Sequence, residues 1–513
     1  MGIILLVLLL NTVPFLVAAL VGGETYRFDG ILLNPLDGHT YLAKMTQGFL
    51  GTWKFTLPYT AEPGQGAYLN LFYIFLGHVA RLTHLSLPLV FNIARILSGY
   101  FLLTTLSRFF DVVIPETRPR RIAFALAALG GGMGWLLIPS GLFTADFWVA
   151  ETYPFLSIYD NPHFPLGLAL MLWLLTPIPV HSGDTPQKPT GRGFWYAIVS
   201  LALAVISPFG VVIVIVVLAG WLAVREMASL LKMKWTNFLQ SPLLSRLLWV
   251  LVGGVPLLIY QFWAIRTDPV LSGWDAQNLT PTPPAWDVFV ALSPALLFAL
   301  LGWRRVARES PVLLLVIWSV LGLILIMIPF GLQRRFLMGL YIPLAGLAAS
   351  GLESLVRGKP KRIKIATAVL FLLALPTNIV VLLAGQAGVQ ARDPLLFRTR
   401  DEARALEWLV SHTPDDSLVL SPPETGLLIP AFSGRRVIYG HPFETVNAKV
   451  ERQAVLDFFA TMTETQAHRF LSDRDVDYIF MGSRQRNAVE VPFTTGLQLV
   501  FTAGDVQIFA AEK

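Results

Sequence analysis

Apolar runs of membrane-spanning length recur along residues 1–384, and short polar stretches separate them. A transmembrane helix needs about 20 residues, so the pattern predicts about eleven spans. The first run lacks a basic start, which favours a retained span over a cleaved signal peptide. The predicted spans are Met1–Val21, Pro88–Phe110, Ile122–Ile138, Phe164–Val180, Phe194–Ile206, Phe209–Val224, Leu247–Trp263, Val288–Leu301, Val312–Pro329, Phe336–Leu355 and Ile363–Ala384.

The apolar stretch Tyr68–Leu85 is interrupted by Asn70, His78, Arg81 and His84, and we interpret it as a helix lying partly in the membrane interface. The basic residues between the later spans then all face one side, as the positive-inside rule requires. The layout predicts a cytoplasmic N-terminus and an extracytoplasmic C-terminus. These basic residues are Arg118, Arg120, Arg121, Lys188, Arg192, Arg225, Lys232, Lys234, Arg246, Arg304, Arg305, Arg308, Arg357, Lys359, Lys361, Arg362 and Lys364.

From Ala391 onward, short apolar strands alternate with amphipathic helices, which is typical of a small α/β domain. We therefore expect a transmembrane domain over residues 1–384, with outer loops at 22–87 and 140–165, and an extracytoplasmic α/β domain over 391–513. The predicted helices are Asp401–Ser411, Val446–Thr461 and Glu464–Ser472, and the predicted strands are Ser417–Ser421, Arg436–Tyr439, Asp477–Met481, Leu497–Thr502 and Asp505–Ala510.

The composition supports a multi-pass protein of the cell membrane. Charged residues make up 14% of the chain and hydrophobic residues 54%, whereas soluble globular chains have about 25% charged residues. The formal net charge of +6 follows from basic cytoplasmic loops and predicts no nucleic-acid partner. The chain has no cysteine, which excludes disulfides, thiol catalysis and thiolate metal sites.

The first outer loop carries a polar and aromatic segment, Asn34–Gly66, directly after the first span. Asp37 and His39 lie early in this segment, and Lys44 and Glu62 follow. Asp is also a good N-cap residue, so Asp37 could instead cap a helix that begins near Thr40. The two roles of Asp37 are compatible, and both stay open at this stage.

Two further outer elements carry charged side chains. The second outer loop offers Glu151, Asp160 and His163 in addition to Asp146, and each of them could simply solvate the loop. Arg334 and Arg335 stand at the outer end of a span, against the positive-inside rule, and could snorkel to lipid headgroups. Arg95 is the main charge inside a predicted span, nearer its outer end. The convergence of carboxylates, histidines and arginines on one face predicts a site there.

Motifs for several other chemistries are missing from the sequence. It contains no GxxxxGK[ST] phosphate loop, no GxSxG nucleophile elbow and no HExxH helix. The spans also lack the carboxylates expected of a proton-coupled carrier.

The segment NPLDGHTY in a long first outer loop resembles the GT-C membrane glycosyltransferases, such as protein O-mannosyltransferases, lipid A aminoarabinose transferases and the catalytic subunit of oligosaccharyltransferase. The stretch GAYLNLFYIFLGHVARL, followed by FNIARILSGYFLL, is similar to their second juxtamembrane helix and second span. An acidic second loop ending in DNPHFPLGLAL and the outer QRRF also fit the family. This chain departs from the commonest patterns, because Gly38 follows Asp37 and the second loop has no Asp-x-Glu.

The resemblance implies an inverting glycosyltransferase of the cell envelope that uses a polyprenyl-phosphate-linked sugar as donor. The acceptor would be a glycan, lipid or protein at the outer membrane face. Asp37 would be the general base, and His39, Glu151, Asp160 and His163 would position the acceptor or bind a metal. Arg334, Arg335 and Arg95 would bind the donor phosphate. No cofactor is required by these residues, and a divalent metal, Mg²⁺ or Mn²⁺, stays an open alternative.

Two other function classes fit the same sequence. The protein could be a carrier or flippase for lipid-linked sugars, using the arginines without making a bond. It could also be a non-catalytic membrane scaffold whose outer domain binds a partner. Replacing Asp37 with asparagine distinguishes a carrier from a transferase. Sugar transfer should be lost, whereas transport should persist because it does not need a general base.

Overall fold

The computed structural model describes residues 1–177, 192–231, 238–302, 311–355, 359–482, 484 and 496–511. The chain forms two compact units: the first comprises Met1–Pro14, Ala94–Tyr260 and Thr280–Gly385, and the second Phe15–Ile93, Gln261–Leu279 and Gln386–Lys513. The extent of the predicted C-terminal domain, 391–513, stays a prediction. Several predicted cytoplasmic basic residues lie outside the described residues: Lys188, Lys232, Lys234, Arg304, Arg305, Arg308 and Arg357, as do residues 178–180 of the fourth predicted span.

The described α-helices are numbered in chain order. They are α1 (Gly2–Val21), α2 (Pro35–Leu50), α3 (Leu71–Thr83), α4 (Leu87–Val113), α5 (Thr117–Leu129), α6 (Pro154–Tyr159), α7 (His163–Leu175), α8 (Arg192–Ile206), α9 (Pro208–Leu231), α10 (Pro242–Thr267), α11 (Pro269–Gln277), α12 (Ala285–Leu292), α13 (Ala295–Gly302), α14 (Leu313–Leu325), α15 (Tyr341–Leu355), α16 (Pro360–Ala374), α17 (Pro376–Ala391), α18 (Arg400–His412), α19 (Pro423–Gly426), α20 (Leu428–Ser433), α21 (Ala448–Ala460) and α22 (Glu464–Asp473).

The described strands are β1 (Tyr26–Phe28), β2 (Phe397–Thr399), β3 (Leu418–Leu420), β4 (Arg436–Val437), β5 (Tyr478–Met481), β6 (Leu497–Ala503) and β7 (Val506–Ala511). Short 3₁₀ segments follow α5 and precede α15: Gly134–Ser140, Ala145–Phe147, Ala150–Thr152 and Gln333–Leu337.

Each predicted span lies on helical structure. Within the described residues, 7 helical segments are long and apolar enough to cross a membrane. The remaining predicted spans coincide with the shorter apolar helices α7, α8 and α14 and with the pair α12 and α13. The predicted fold class, a mainly helical polytopic membrane protein with a C-terminal β-sheet region, is thus confirmed.

The interrupted apolar stretch after the first outer loop forms α3, a helix of 13 residues. At 1.5 Å per residue its length is about 20 Å, less than the roughly 30 Å hydrocarbon core of a bilayer. Helices α7 and α14 have the same length, so the interfacial position of α3 stays a prediction.

The helices α2 and α3 pack backbone to backbone through two glycines. A Cβ atom on Gly48 would lie 2.0 Å from the Ile74 carbonyl oxygen, and one on Gly77 would lie 1.9 Å from the Met45 carbonyl oxygen. No larger residue fits at either position without separating the helices, so the pair holds α2 in place from one side.

The C-terminal region contains a five-stranded sheet with the strand order β4-β3-β5-β7-β6. Strand β3 pairs in parallel with β4 and β5, whereas β7 pairs antiparallel with β5 and β6. All the helices and strands predicted beyond Ala391 are present, with boundaries shifted by a few residues. The hairpin of β6 and β7 turns at Gly504, whose φ of 55° suits glycine.

A second, smaller sheet was not predicted. Strand β1 lies in the first outer loop and pairs antiparallel with β2, so that Arg27 stands opposite Arg398. This pairing ties the segment that leads into α2 to the start of the C-terminal region. Both strands have three residues, too few for the alternation that identifies a strand in a sequence.

Candidate active site

Helix α2 begins at Pro35, earlier than the sequence suggested. Asn34 takes the N-cap position with φ 48°, and Pro35 fills the first helical position, where its missing N–H costs nothing. Asp37 is therefore in the first turn and does not cap the helix, which corrects the alternative role considered for it. Its carboxylate still lies near the positive end of the helix dipole.

Asp37, Thr40 and Lys44 share one face of α2, because side chains three and four residues apart are neighbours on a helix. The Asp37 side chain is 52% exposed. Lys44, in contrast, is buried and donates to Thr40 Oγ1 at 3.3 Å and to Glu444 Oε1 at 2.8 Å. The face thus offers one accessible carboxylate at its N-terminal end, above a buried ion pair.

The partner of this face is the segment His441–Thr445 of the C-terminal region. His441 Nε2 lies 3.7 Å from Asp37 Oδ1, and the His441 side chain is only 1% exposed. Glu444 of the same segment forms the ion pair with Lys44. Burial lowers the pKa of His441, which favours the neutral imidazole.

The segment is held in one conformation by its own hydrogen bonds. His441 Nδ1 accepts from the backbone N–H groups of Phe443 and Glu444, each at 3.1 Å. Thr445 Oγ1 accepts from the backbone N–H of His441 at 3.3 Å. Gln277, at the end of α11, accepts from the Asn447 N–H at 3.0 Å. The position of the imidazole is therefore fixed by backbone contacts rather than by Asp37.

His39, predicted to position the acceptor or bind a metal, is fully buried. Its Nδ1 lies 2.7 Å from the Pro35 carbonyl oxygen and its Nε2 lies 3.1 Å from Asp29 Oδ2. Both ring nitrogens are therefore engaged by oxygen atoms. In this structure His39 holds the first turn of α2 against Asp29, and it offers no ring nitrogen to a ligand.

Asp29 is the centre of a buried charge cluster that the sequence analysis missed. It is fully buried, accepts from Arg398 and contacts His39. Burial alone would raise the pKa of Asp29, but Arg398 and His39 more than offset it and hold the pKa below its ordinary value. Arg398 also stacks on Phe432, with 3.6 Å between the guanidinium and the ring centroid. The cluster fixes the base of α2 to β2 and α20.

In the first unit, Asp146 is buried, and both of its carboxylate oxygens accept hydrogen bonds. Its Oδ2 accepts from the Gly134 N–H at 3.0 Å and from Thr377 Oγ1 at 2.8 Å, and Oδ1 accepts from Thr144 Oγ1 at 2.5 Å. Burial raises the pKa of this carboxyl, and these hydrogen bonds offset part of the effect. The carboxylate therefore holds the loop to α17.

Glu151 and Arg335, both predicted site residues, contact each other. Glu151 Oε1 lies 3.3 Å from Arg335 Nη1, with the Glu151 side chain buried and the Arg335 side chain 28% exposed. The neighbouring Arg334 stacks on Trp148, with 4.8 Å between the guanidinium and the ring centroid. Both arginines lie in the 3₁₀ segment before α15, and Arg335 remains partly open to solvent.

Of the other predicted residues of the first unit, Asp160 and Arg95 are buried and His163 is half-buried. Asp160 is 2% exposed and accepts from the Asn161 side chain at 2.8 Å. His163 packs on Phe164, with 4.0 Å between the ring centroids. Arg95 is fully buried, and its Nη1 donates to the carbonyl oxygens of Asn11 and Ile158 at 2.9 and 2.8 Å. Arg95 thus links α1, α4 and α6 through backbone carbonyls.

The carboxylates and imidazoles do not converge into a metal site. Across the described residues, no group of three or more His, Asp or Glu side chains is arranged to hold a metal ion. Glu151 is paired with Arg335, and both nitrogens of His39 face oxygen atoms. In this arrangement, the described residues that the sequence suggested as ligands form no site of three or more metal-binding side chains.

Solved structures that resemble this chain include membrane glycosyltransferases. No family model and no curated protein sequence matches it. The oligosaccharyltransferase of Archaeoglobus fulgidus, tethered to an acceptor peptide containing the NVT sequon, superposes with a TM-score of 0.53 at 17% identity, covering 92% of this chain and 68% of its own. The oligosaccharyltransferase AglB from the same organism, in complex with an inhibitory peptide and a dolichol-phosphate, gives a TM-score of 0.50 at 14% identity, covering 93% of this chain and 69% of its own.

Two bacterial transferases superpose over almost the whole chain. ArnT from Cupriavidus metallidurans in the apo state gives a TM-score of 0.53 at 13% identity and covers 98% of this chain and 97% of its own. The arabinofuranosyltransferase AftD from Mycobacteria gives 0.51 at 13% identity, covering 99% of this chain and 40% of its own. These enzymes are all GT-C glycosyltransferases. The chain described here is accordingly an integral membrane protein with a GT-C-like fold.

Proposed function

We propose that this protein is an inverting glycosyltransferase that moves a sugar from a polyprenyl-phosphate donor to an acceptor hydroxyl at the outer membrane face. The observation that carries the proposal is the half-exposed carboxylate of Asp37 in the first turn of a helix that is mostly buried from Gly38 to Gly48. Its setting in a GT-C-like fold agrees with this function, because the superposing enzymes transfer sugars. AglB, moreover, has been captured with a dolichol-phosphate.

One carboxylate suffices for this chemistry. The phosphate of the donor leaves as a stable anion and needs no general acid, whereas hydrolysis of an ordinary glycoside takes two carboxyl groups. Asp37 takes the proton from the acceptor hydroxyl as the oxygen attacks the anomeric carbon. The new bond forms on the face opposite the departing phosphate, so the anomeric configuration inverts. No step is assigned to a metal ion.

The negative charge that develops on the leaving phosphate requires a cationic partner. We assign this role to Arg335 with Arg334 beside it, since a guanidinium forms paired, charge-assisted hydrogen bonds to phosphate oxygens. Glu151 keeps the Arg335 side chain in place from one side. Arg95 is left out of the donor site, because it is fully buried and its Nη1 donates to backbone carbonyls.

The test is Asp37→Asn in protein reconstituted into liposomes with undecaprenyl-phosphate sugars and a cell-envelope extract as acceptor. Release of undecaprenyl phosphate should fall by about 10² to 10⁴. Thermal stability and donor binding should change little, because the side chain is half exposed and asparagine has nearly the same shape. Asp473→Asn, an exposed carboxylate at the end of α22, is the matched control. Full turnover in Asp37→Asn excludes the proposal, and donor translocation without transfer would support the flippase instead.

The orientation of the protein in the membrane belongs to the same proposal. Asp37 and Asp401 are placed outside the cell, and Arg120 and Lys361 in the cytoplasm, because the basic residues fix the cytoplasmic side. Single cysteines can be introduced cleanly, since the chain has none. Cysteine at position 401 should react with an impermeant maleimide in intact cells and cysteine at 361 only after lysis. If cysteine at position 361 is labelled in intact cells, the proposed orientation is wrong.

A further inference from the structure

The His441 side chain is buried, and one of its ring nitrogens, Nε2, makes no hydrogen bond to the described residues. Its side chain is 1% exposed, and within the described part of the chain Nε2 has no hydrogen-bond partner. Burying a polar group without a hydrogen-bond partner destabilises the folded protein. Such a group in a native structure calls for an explanation, and a catalytic role is one of them.

The hydrogen bonds of the other ring nitrogen define the tautomer. Nδ1 lies 3.1 Å from two backbone N–H groups, those of Phe443 and Glu444. Backbone N–H groups only donate, so Nδ1 must accept and carries no proton. The proton of the neutral ring is therefore on Nε2, the nitrogen that faces Asp37 Oδ1 at 3.7 Å.

We propose that His441 is a positioning residue for the general base, and that its Nε2–H donates to Asp37 Oδ1 when the donor and acceptor are bound. This inference rests on the proposed function of Asp37. Contacts of this kind are often long in a ligand-free enzyme and shorten in the reactive complex. With Oδ1 held by the imidazole, Oδ2 is the oxygen left to take the proton of the acceptor hydroxyl.

The geometry around His441 favours this role over that of a second base. Its lone pair on Nδ1 is occupied by backbone donors, so the ring has no free basic nitrogen. The titratable groups that act electrostatically on the ring are Glu444, Asp37, Lys44 and His39, and Glu444 and Lys44 are paired with each other. The neutral donor therefore orients the Asp37 carboxylate without neutralising its charge.

Two substitutions distinguish the roles of the two ring nitrogens of His441. The amide nitrogen of glutamine can occupy the place of Nε2, whereas the amide oxygen of asparagine can occupy the place of Nδ1 and cap the same backbone N–H groups. His441→Gln should keep turnover within about threefold of the wild type, and His441→Asn should lower kcat by about 10- to 100-fold, the worth of a hydrogen bond to a charged group. The donor KM should change little in both variants.

A purely structural role gives the opposite order. If His441 only fixes the segment through Nδ1, His441→Asn retains turnover and His441→Gln loses it along with thermal stability. That result overturns the inference while Asp37→Asn stays inactive, so the proposed function survives. If Asp37→Asn retains turnover, in contrast, both the proposed function and the inference about His441 are wrong.

A measurement on the wild type does not depend on the folding of any variant. The chain has 8 histidines, and ¹⁵N labelling of histidine allows the His441 signals to be assigned by their absence in His441→Gln or His441→Asn. The inference expects a neutral ring protonated at Nε2. A ring protonated at Nδ1 overturns it.

Discussion

Asp37 and Asp146 are carboxylates of two different compact units, and their surroundings differ in kind. Asp146 is fully buried, and hydrogen bonds from Gly134, Thr144 and Thr377 reach its two oxygens. Asp37 is half exposed, and the His441 ring nitrogen Nε2 lies 3.7 Å from its Oδ1. A buried carboxylate whose two oxygens both accept hydrogen bonds stabilises the fold, whereas an exposed one with free acceptor capacity can take up a proton.

The same contrast exists within the first outer loop itself. Asp29 and Asp37 are close in sequence, yet Asp29 is fully buried between Arg398 and His39. Exposure and engaged lone pairs therefore distinguish the two better than sequence distance from the first span. Three substitutions test this distinction, beginning with the largest expected effect.

Asp29→Asn should destabilise the protein strongly, because removal of one partner of a buried ion pair costs about 3–5 kcal/mol. The pKa of Asp29 is lowered in the folded protein, so its contribution is complete above the unfolded pKa of about 3.9 and is lost only as the pH falls through the lowered folded pKa. The difference in unfolding free energy between wild type and variant should thus be constant from pH 8 to pH 5. A variant with wild-type thermal stability, measured in detergent by loss of intrinsic fluorescence, would break the comparison.

Asp146→Asn should destabilise the protein by about 1–3 kcal/mol, because an amide group then faces donors that it cannot satisfy. Burial raises the pKa of Asp146, so the sign of its pH dependence is reversed. Its stabilising contribution is complete below the unfolded pKa of about 3.9 and is lost as the pH rises through the raised folded pKa. The difference in unfolding free energy between wild type and Asp146→Asn should therefore decrease as the pH rises above about 3.9 and through the raised folded pKa. Turnover per folded molecule should stay unchanged, and a specific loss of turnover would place Asp146 beside Asp37 in function.

Arg335→Lys should have the smallest effect, a rise of about 3- to 10-fold in the donor KM, because lysine keeps the charge but loses the paired hydrogen bonds to phosphate. Arg121→Lys, an exposed arginine of α5, is the control and should leave the donor KM unchanged. The two residues have distinct roles if Arg335→Lys raises the donor KM while Asp37→Asn lowers only kcat. If Arg334→Ala and Arg335→Ala both leave donor affinity unchanged, the arginines only snorkel to lipid headgroups.

The sequence predicted the helices well because the membrane imposes a strong pattern on them. Each apolar run became helical, and the helices and strands beyond Ala391 appeared close to their predicted positions. The start of α2 was placed too late, because an asparagine in the left-handed conformation followed by Pro35 is a weaker signal than the Asp37 N-cap pattern. Strands of three residues, such as β1 and β2, leave no readable pattern.

The site was predictable only in part, because its contacts join distant residues. Asp37 stood out by its position, but His441 and Glu444 did not, since Glu444 is 400 positions from its partner Lys44. A histidine followed by proline in a polar segment gives no local sign of a partner. Likewise, nothing in the sequence separates His39, which is engaged on both nitrogens, from a histidine available to a ligand.

The ion pair of Asp29 and Arg398 has a consequence for biosynthesis. The two residues are 369 positions apart, and a ribosome adds about 5–20 residues per second. The first outer segment therefore emerges on the order of 20 to 70 s before the residues that neutralise it and pair with β1. During that interval α2 and its polar face are without their partners, so nascent chains halted before β2 should carry the helix but not the finished site.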